Sequence, residues 1–455
     1  MTRVCIVGRH HAKSGADFFI RTELERVRKE SKMTVEFGEL AASISAVDSD
    51  LASIAAGLFE CEGLVREEII DLDDELQILL CQSKLINKAI EQALANLISF
   101  TLVRAPTVKL VSAKNECADG SGRTATAARS VCLFSGGIDS LAGILKLPGS
   151  LKPTAGAFVS HDRMASRVTY LEDSVLRARA IPIQKVTIQR GRTGFQQMRG
   201  FLYLTIGAIL AKLSGTDNVV VSETGQTMFL PPLAALDQIT VTTHPTLVEI
   251  TKEILHESYG IKFHVYEPFS DLTKAEVVSL CDAKEAIPGT NSCITTRFAN
   301  QPYSHCGRCY GCLVRRLGCV VAGVKDAQYA KDVLVKGVGD RVLGGWPGQA
   351  IKANDLLDLQ ALLRFSRDVL EGQLDDAARF KIASFGKEDL YRRAALDVLA
   401  AMYLLYGKTK QGRNAVVRNF FEECKKDGLI SPDIAEGRIS DVREQKYQAD
   451  FGLLL

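Results

Sequence analysis

The sequence predicts an α/β protein, a parallel sheet covered by helices on both faces. An α+β N-terminal domain precedes it and a mostly helical C-terminal domain follows. Three observations predict this. Short apolar runs alternate with helical stretches between residues 130 and 268, the pattern of repeated strand–helix–strand units. One such run ends on a glycine pair, as a strand does where it turns sharply into a helix. Beyond Lys325 the apolar residues recur mainly at helical spacing.

The chain has 455 residues and a mass of 49.6 kDa, room for two to four domains at about 100–200 residues each. An apolar fraction of 46% and a charged fraction of 24% are ordinary for a folded chain and exclude disorder as the dominant state. Neither a collagen-like glycine period nor a sustained heptad is present. Lys+Arg is 56 against Asp+Glu at 54, a formal net charge of +2. So even a balance does not build a large polyanion-binding surface, and no nucleic-acid partner is expected. No apolar run approaches the roughly 20 residues of a bilayer span. Met1–Gly8 is too short for a signal peptide and reads as a first strand. A cytoplasmic location without a membrane partner is therefore expected. In that reducing compartment the 12 cysteines are not expected to form structural disulfides.

Residues 1–112 read as an α+β domain of unknown role, with apolar residues at helical spacing from Leu79 to Leu97, among them Leu85, Ile86, Ile90 and Ala93. Residues 113–129 are small and polar and read as a linker. From Ser130 the strand candidates are 130–134, 156–160, 183–188, 218–222 and 262–268. Helical stretches lie at Ser140–Leu147, Met198–Leu213 and Leu247–Tyr259. This makes 130–325 the α/β domain and 326–455 the helical one. In the latter, Asp355–Leu370, Glu388–Tyr406 and Asn414–Cys424 carry stripes that read as core.

Between the strand at 130–134 and the following helix lies Ser135-Gly-Gly-Ile-Asp-Ser140. Two glycines let an anion approach the backbone N–H groups, two serines add hydroxyls, and the helix turns its positive end to the same place. Asp139 would repel a phosphate, so its role is to hold Mg²⁺ between phosphates or to orient the loop. The segment is neither a Walker A nor a Gly-x-Gly-x-x-Gly loop.

Four cysteines cluster downstream. Cys306-Gly-Arg-Cys309-Tyr-Gly-Cys312 is C-x2-C-x2-C, and Cys293 lies 12 intervening residues upstream. The C-x-x-C turn places two sulfurs on one ion, the third cysteine joins them if a helix begins there, and Cys293 closes a tetrahedral structural zinc site. His305 as a substitute ligand and an iron–sulfur cluster are the alternatives. Such zinc sites contribute about 10–16 kcal/mol in small peptides.

The segment SGGIDS resembles the SGGxDS signature of the PP-loop ATP pyrophosphatases. The resemblance implies a PP-loop, HUP-like sheet and ATP held through Ser135, Gly136, Gly137, Ile138, Asp139 and Ser140. A substrate oxygen then attacks the α-phosphate and pyrophosphate leaves. With the cysteine cluster and Cys312-Leu-Val-Arg315, the chain resembles the QueC family, the 7-cyano-7-deazaguanine synthases, from about Ser130 to Val324. Looser matches are Arg199–Thr205, Val221-Ser-Glu223, Glu267-Pro-Phe269 and Lys274-Ala-Glu276. Two segments depart from the family. Ser160–Ala165 replaces an aromatic stretch, and Thr243-His-Pro-Thr246 stands where the family has Tyr-Pro-Asp-Cys, with Phe229–Leu233 inserted before it. The flanking regions resemble those of the long QueC-like proteins of bacterial anti-phage operons, the QatC type.

The resemblance implies catalytic roles for Ser135, Asp139, Ser140 and Lys274. It implies nucleotide contacts from Arg199 and Glu223, and ATP, Mg²⁺ and structural Zn²⁺ as cofactors. Lys274 and Arg199 neutralise phosphate charge on this reading, or are solvated cations on the bland one. His161, Asp162 and His244 are substrate-pocket candidates, or satisfied loop residues. The acid to be adenylated is of the deazaguanine type, and the amine that displaces AMP is ammonia or belongs to a protein partner from the same operon. A second class of function, a nucleotide-binding scaffold without catalysis, stays open. A thiolation reaction is disfavoured because Cys132, the cysteine near the loop, sits inside a strand.

Overall fold

The computed structural model describes residues 3–11, 15–24, 27–37, 40, 43–66, 75–80, 85–104, 106–112, 128–159, 162–189, 197–229, 243–293, 305–341, 350–376, 379 and 384–450. The N-terminal region runs β1 (Arg3–His11), β2 (Gly15–Leu24), β3 (Val27–Glu36), α1 (Ala46–Arg66), β4 (Glu75–Leu80), α2 (Lys88–Leu102) and β5 (Thr107–Ser112). The central region runs β6 (Ser130–Phe134), α3 (Ile138–Lys146), β7 (Pro153–Val159), α4 (Asp162–Leu171), β8 (Ile183–Gln189) and α5 (Arg199–Leu213). It continues through β9 (Asn218–Val220), α6 (Gly225–Met228), α7 (Pro245–Tyr259), β10 (His264–Tyr266), α8 (Lys274–Leu280) and α9 (Tyr310–Ala322). The C-terminal region contributes α10 (Leu357–Glu371), α11 (Glu388–Met402), α12 (Ala415–Lys426) and α13 (Pro432–Arg443).

Among the described residues ten strands lie in one sheet, ordered β10-β9-β6-β7-β8-β3-β2-β1-β4-β5. The central five are parallel, with Cys132 of β6 between Ala155 of β7 and Val220 of β9. β3 joins them antiparallel along β8, pairing Thr34 with Gln189, and β4 and β5 extend the far end in parallel with β1. The protein is thus α/β, with a mostly parallel sheet, helices on both faces and a helical C-terminal region.

Two cores explain the layers. On one face α1, α2, α5 and α7 bury Leu51, Leu94, Phe201 and Leu247 against Val131, Phe158 and Val186. On the other, α3, α4, α8 and α9 bury Leu141, Leu171, Val277 and Leu317 against Cys132, Phe134 and Ala157. The same second core runs on into the C-terminal helices through Leu362, Leu399 and Ile439. Cys132 is buried, as its place in the strand requires.

The helical spacing read from Leu79 is overturned at its start. Leu79 and Leu80 belong to β4, where Leu76, Ile78 and Leu80 are buried with the period of a strand. The helix begins at Lys88, where the Asn87 side chain accepts the Ala89 N–H at 2.8 Å. Among the described residues no helix is long and apolar enough to cross a membrane.

Candidate functional site

β6 is the point at which the chain reverses direction across the sheet. It connects to β7 on one side, and the chain returns to its other side as β9 only after β8. The carboxyl ends of strands at such a switch point form a crevice. The loop 135–140 sits there, between β6 and α3.

Gly136 holds φ +72°, a conformation that strains any residue with a Cβ. At Gly137, the N-cap of α3, a Cβ would stand 3.1 Å from the Asn291 carbonyl oxygen and 3.3 Å from Ser135 Oγ. A side chain at either glycine would therefore strain the bend or press on its neighbours. Ser135 and Ser140 converge, their hydroxyls 3.4 Å apart, and Ser140 Oγ donates to the Gly137 carbonyl at 3.0 Å. Ser135 is exposed, while Ile138 is buried in the core beneath the loop.

Asp139 lies in the first turn of α3. Its Oδ2 accepts from Lys274 Nζ, whereas its buried Oδ1 has no partner. Lys274 opens α8, whose N-cap Thr273 and N3 Glu276 form a reciprocal capping box. The lysine is 6% exposed, and its stem rests on α9 at Gly318, where a Cβ would come within 2.9 Å of Lys274 Cγ.

Arg199 begins α5, which leads away from the carboxyl end of β8, so it stands on the same edge of the sheet as the loop. The helix start is held by Glu62 of α1, which accepts the N–H groups of Gln197 and Met198 at 2.9 Å each. Glu223 follows β9 and accepts from Thr243 Oγ1 at 2.6 Å. Glu267 follows β10. Burial, then the charges of Glu223 and Glu249, push its carboxyl up to about 7, against the opposing pull of Lys252 and Lys387. Glu267 Oε1 is buried without a partner.

His244 caps α7 by accepting the Thr246 N–H through Nδ1, and its ring lies 5.0 Å from Phe100 and 5.2 Å from Phe385. It thus sits in a row of aromatic rings at the start of α7. His161 lies outside the described residues, and Asp162 is placed only as the first residue of α4.

The four sulfurs of Cys293, Cys306, Cys309 and Cys312 all lie within 4.8 Å of one another, and all four residues are buried. Cys306 Sγ and Cys312 Sγ are 3.7 Å apart. Tetrahedral zinc with bonds of about 2.3 Å would set its thiolates about 3.8 Å apart. The set fits one zinc ion, whereas a multi-iron cluster holds its thiolates farther apart. Cys309 is the N-cap of α9 and Cys312 lies in its first turn, so the helix start delivers the third sulfur. His305 is not one of the ligand group. Its Nε2 accepts the Ser292 N–H at 3.2 Å, and burial, followed by Arg315 and Arg167, pushes its pKa far down and keeps the ring neutral.

The cysteine centre and the glycine loop are physically joined. Arg315 of α9, fully buried, donates to Asp326 (2.8 Å), the Thr290 hydroxyl (2.8 Å) and the Ile287 carbonyl (2.6 Å). This fixes the segment ahead of Cys293. Within it, the Asn291 N–H donates to the Gly136 carbonyl at 2.9 Å, and Asn291 Oδ1 accepts the Cys293 N–H at 3.1 Å. Asn291 went unnoticed in the sequence because its partner is far away along the chain. Its position two residues before a metal-binding cysteine was the available signal.

Among curated proteins none matches this chain. The family model described as queuosine biosynthesis protein QueC matches residues 156–323. That span runs from within β7 to the end of α9, takes in all four cysteines and Lys274, and begins after the glycine loop. Over these residues the chain is similar to the QueC family, with the glycine loop just ahead of the match and a zinc-compatible cysteine centre within it.

Proposed function

We propose that this protein is a QueC-like, ATP-using enzyme that forms a C–N bond by way of an acyl adenylate. The observation that carries the reading is the two-glycine bend of Ser135–Ser140 at the switch point, with Asp139 and Lys274 facing each other beside it. The bend's amides and the Ser135 and Ser140 hydroxyls would hold the β- and γ-phosphates. Lys274, Arg199 and the start of α3 would offset phosphate charge. The unpartnered Asp139 Oδ1 fits a hard cation, and Mg²⁺ there would supply charge neutralisation between phosphate oxygens. Zinc on the four cysteines, with no open position, would be structural.

A carboxylate oxygen of the acid attacks the α-phosphorus, the bond to the β-phosphate oxygen breaks, and pyrophosphate leaves. An amine nitrogen then attacks the acyl carbon, AMP leaves, and the nitrogen gives up a proton to water. The QueC likeness supports a 7-carboxy-7-deazaguanine-type acid. Substantial regions before and after the matched residues, and the replacement of the family's Tyr-Pro-Asp-Cys by Thr243–Thr246, favour a protein amine from an anti-phage operon partner over ammonia. Glu223 and Glu267, at the ends of β9 and β10, stand on the side of the loop where the acid or the amine would enter.

The test is ATP–pyrophosphate exchange with 7-carboxy-7-deazaguanine, followed by product mass spectrometry with ammonia or operon proteins as acceptor. Acid-dependent exchange lost in Asp139→Ala supports adenylation. A mass shift on a protein identifies the acceptor, and a primary amide, or the nitrile formed from it when a second ATP activates the amide oxygen and water is lost, identifies ammonia. ATP binding without exchange under any acid tried would make the protein a nucleotide-binding scaffold instead.

A further inference from the structure

The C-terminal helices reach the site through buried charge. Glu276, at the third position of α8, accepts from Arg438 of α13 at 2.6 Å and from Arg393 of α11 at 2.5 Å. Arg438 also donates to Asp397 of α11 at 2.7 Å and to the Thr273 hydroxyl at 3.3 Å. Arg393 donates to the Asp271 carbonyl at 2.7 Å. Tyr447 lies over both guanidinium groups, at 4.7 and 5.3 Å. The segment after α13 continues along α8, with Gln445 donating to the Ser279 carbonyl and the Asp450 N–H donating to that of Pro268.

Four of these bonds, to Asp271, Thr273 and Glu276, fall on the residues that bracket Lys274. Asp271 and Thr273 precede it and Glu276 follows it, while its own N–H donates to Gln226 at 3.1 Å. Buried ion pairs contribute little net stability, and apolar residues of similar volume commonly serve as well. Directional bonds to both sides of one turn do something that apolar packing cannot. They fix the angle at which that turn presents its side chain. The side chain here is the ammonium that meets Asp139.

We propose that Arg438 and Arg393 are positioning residues for Lys274, so that the C-terminal helices form part of the nucleotide site. The functional consequence rests on the reading of Lys274 as a phosphate-binding group. The positional claim does not. Neither arginine reaches the loop itself; both act through Glu276 and the N-cap of α8.

The test uses the full-length, zinc-loaded chain and two readouts. The first is acylation of Lys274 by an amine-reactive ester, followed by peptide mass spectrometry. Arg438→Met is expected to speed it by about tenfold, the effect of losing a charge-assisted bond, and Arg438→Lys to recover part of the protection. The second is pyrophosphate exchange. Arg438→Met is expected to lower its kcat by about 10- to 100-fold, as misplacement of about 1 Å does. In a Lys274→Met background it should have no further effect, because the route is already cut. If Arg438→Met does not retain zinc, Arg393→Met carries both readouts. Unchanged Lys274 labelling in a folded variant, or losses that simply multiply in the double variant, would overturn the proposal. If the wild type shows no exchange, the labelling still decides the positioning and only the functional reading falls.

Discussion

Asp139 presents two oxygens with different surroundings, one on Lys274 and one buried without a partner. Removing the carboxylate leaves the lysine ammonium buried and unpaired. Asp139→Ala should therefore cost about 3–5 kcal/mol in urea unfolding and, separately, about 100-fold or more in pyrophosphate exchange. Glu267 gives a prediction of pH dependence. Its carboxyl is raised from 4.5 to about 7, so the folded state binds its proton more tightly than the unfolded state does. That contribution is fully present below about pH 4.5 and is lost as pH rises through about 7. Glu267→Gln should flatten the stability profile between about pH 5 and pH 8, by at most about 3 kcal/mol. Unfolding midpoints of wild type and variant that stay parallel across this range would contradict it. Glu267 was legible in the sequence only as part of a Glu-Pro-Phe match. Its perturbation depends on burial first, and then on Glu223 and Glu249 arriving from the end of β9 and from α7, which spacing along the chain does not show.

At the scale of elements, α9 links the cysteine centre to the glycine loop. Arg315 holds the Ile287–Thr290 turn, and Asn291 beyond it holds Gly136. Arg315→Met would remove the ion-pair partner of the buried Asp326 and should cost about 3–5 kcal/mol. Stripping zinc with a chelator should loosen the same path. Hydrogen exchange is expected to accelerate first at 287–293 and at α9, and nucleotide affinity to fall with it; uniform acceleration across the sheet would speak against a local link. The cysteine centre was readable because ligand spacing is a local property, and SVCLF became β6 because an apolar run beside a glycine pair has few other options. The start of α2 was misread because Leu79 and Leu80 continue an apolar pattern that strand and helix share over a few residues. The role of α13 was invisible, since Arg438 and Glu276 are 162 residues apart.

At the scale of the whole molecule, a single sheet, ten-stranded among the described residues, carries both the N-terminal and the central regions. Sequence periodicity predicted the parallel half. It could not predict the antiparallel joint between β3 and β8, which rests on backbone pairing between distant segments. The two regions share one core, and Asp48 of α1 ties Lys212 and Tyr259 of the central helices at 2.8 and 2.6 Å. A chain beginning at Ser130 should therefore aggregate or elute as an expanded species in size-exclusion chromatography, because β8 would have an open edge and Phe201, Leu247 and Val186 would lose their cover. Recovery of a compact, zinc-loaded fragment would contradict this.

The most direct test is a calorimetric titration of the zinc-loaded full-length protein with MgATP, run in parallel on Gly137→Val. The wild type should bind one nucleotide per chain with a dissociation constant of about 1 μM–1 mM. The variant should retain zinc and bind no nucleotide, because its side chain would fill the space between Ser135 Oγ and the Asn291 carbonyl. No binding by the wild type, or equal binding by both, would show that the bend after β6 is not where a nucleotide is held.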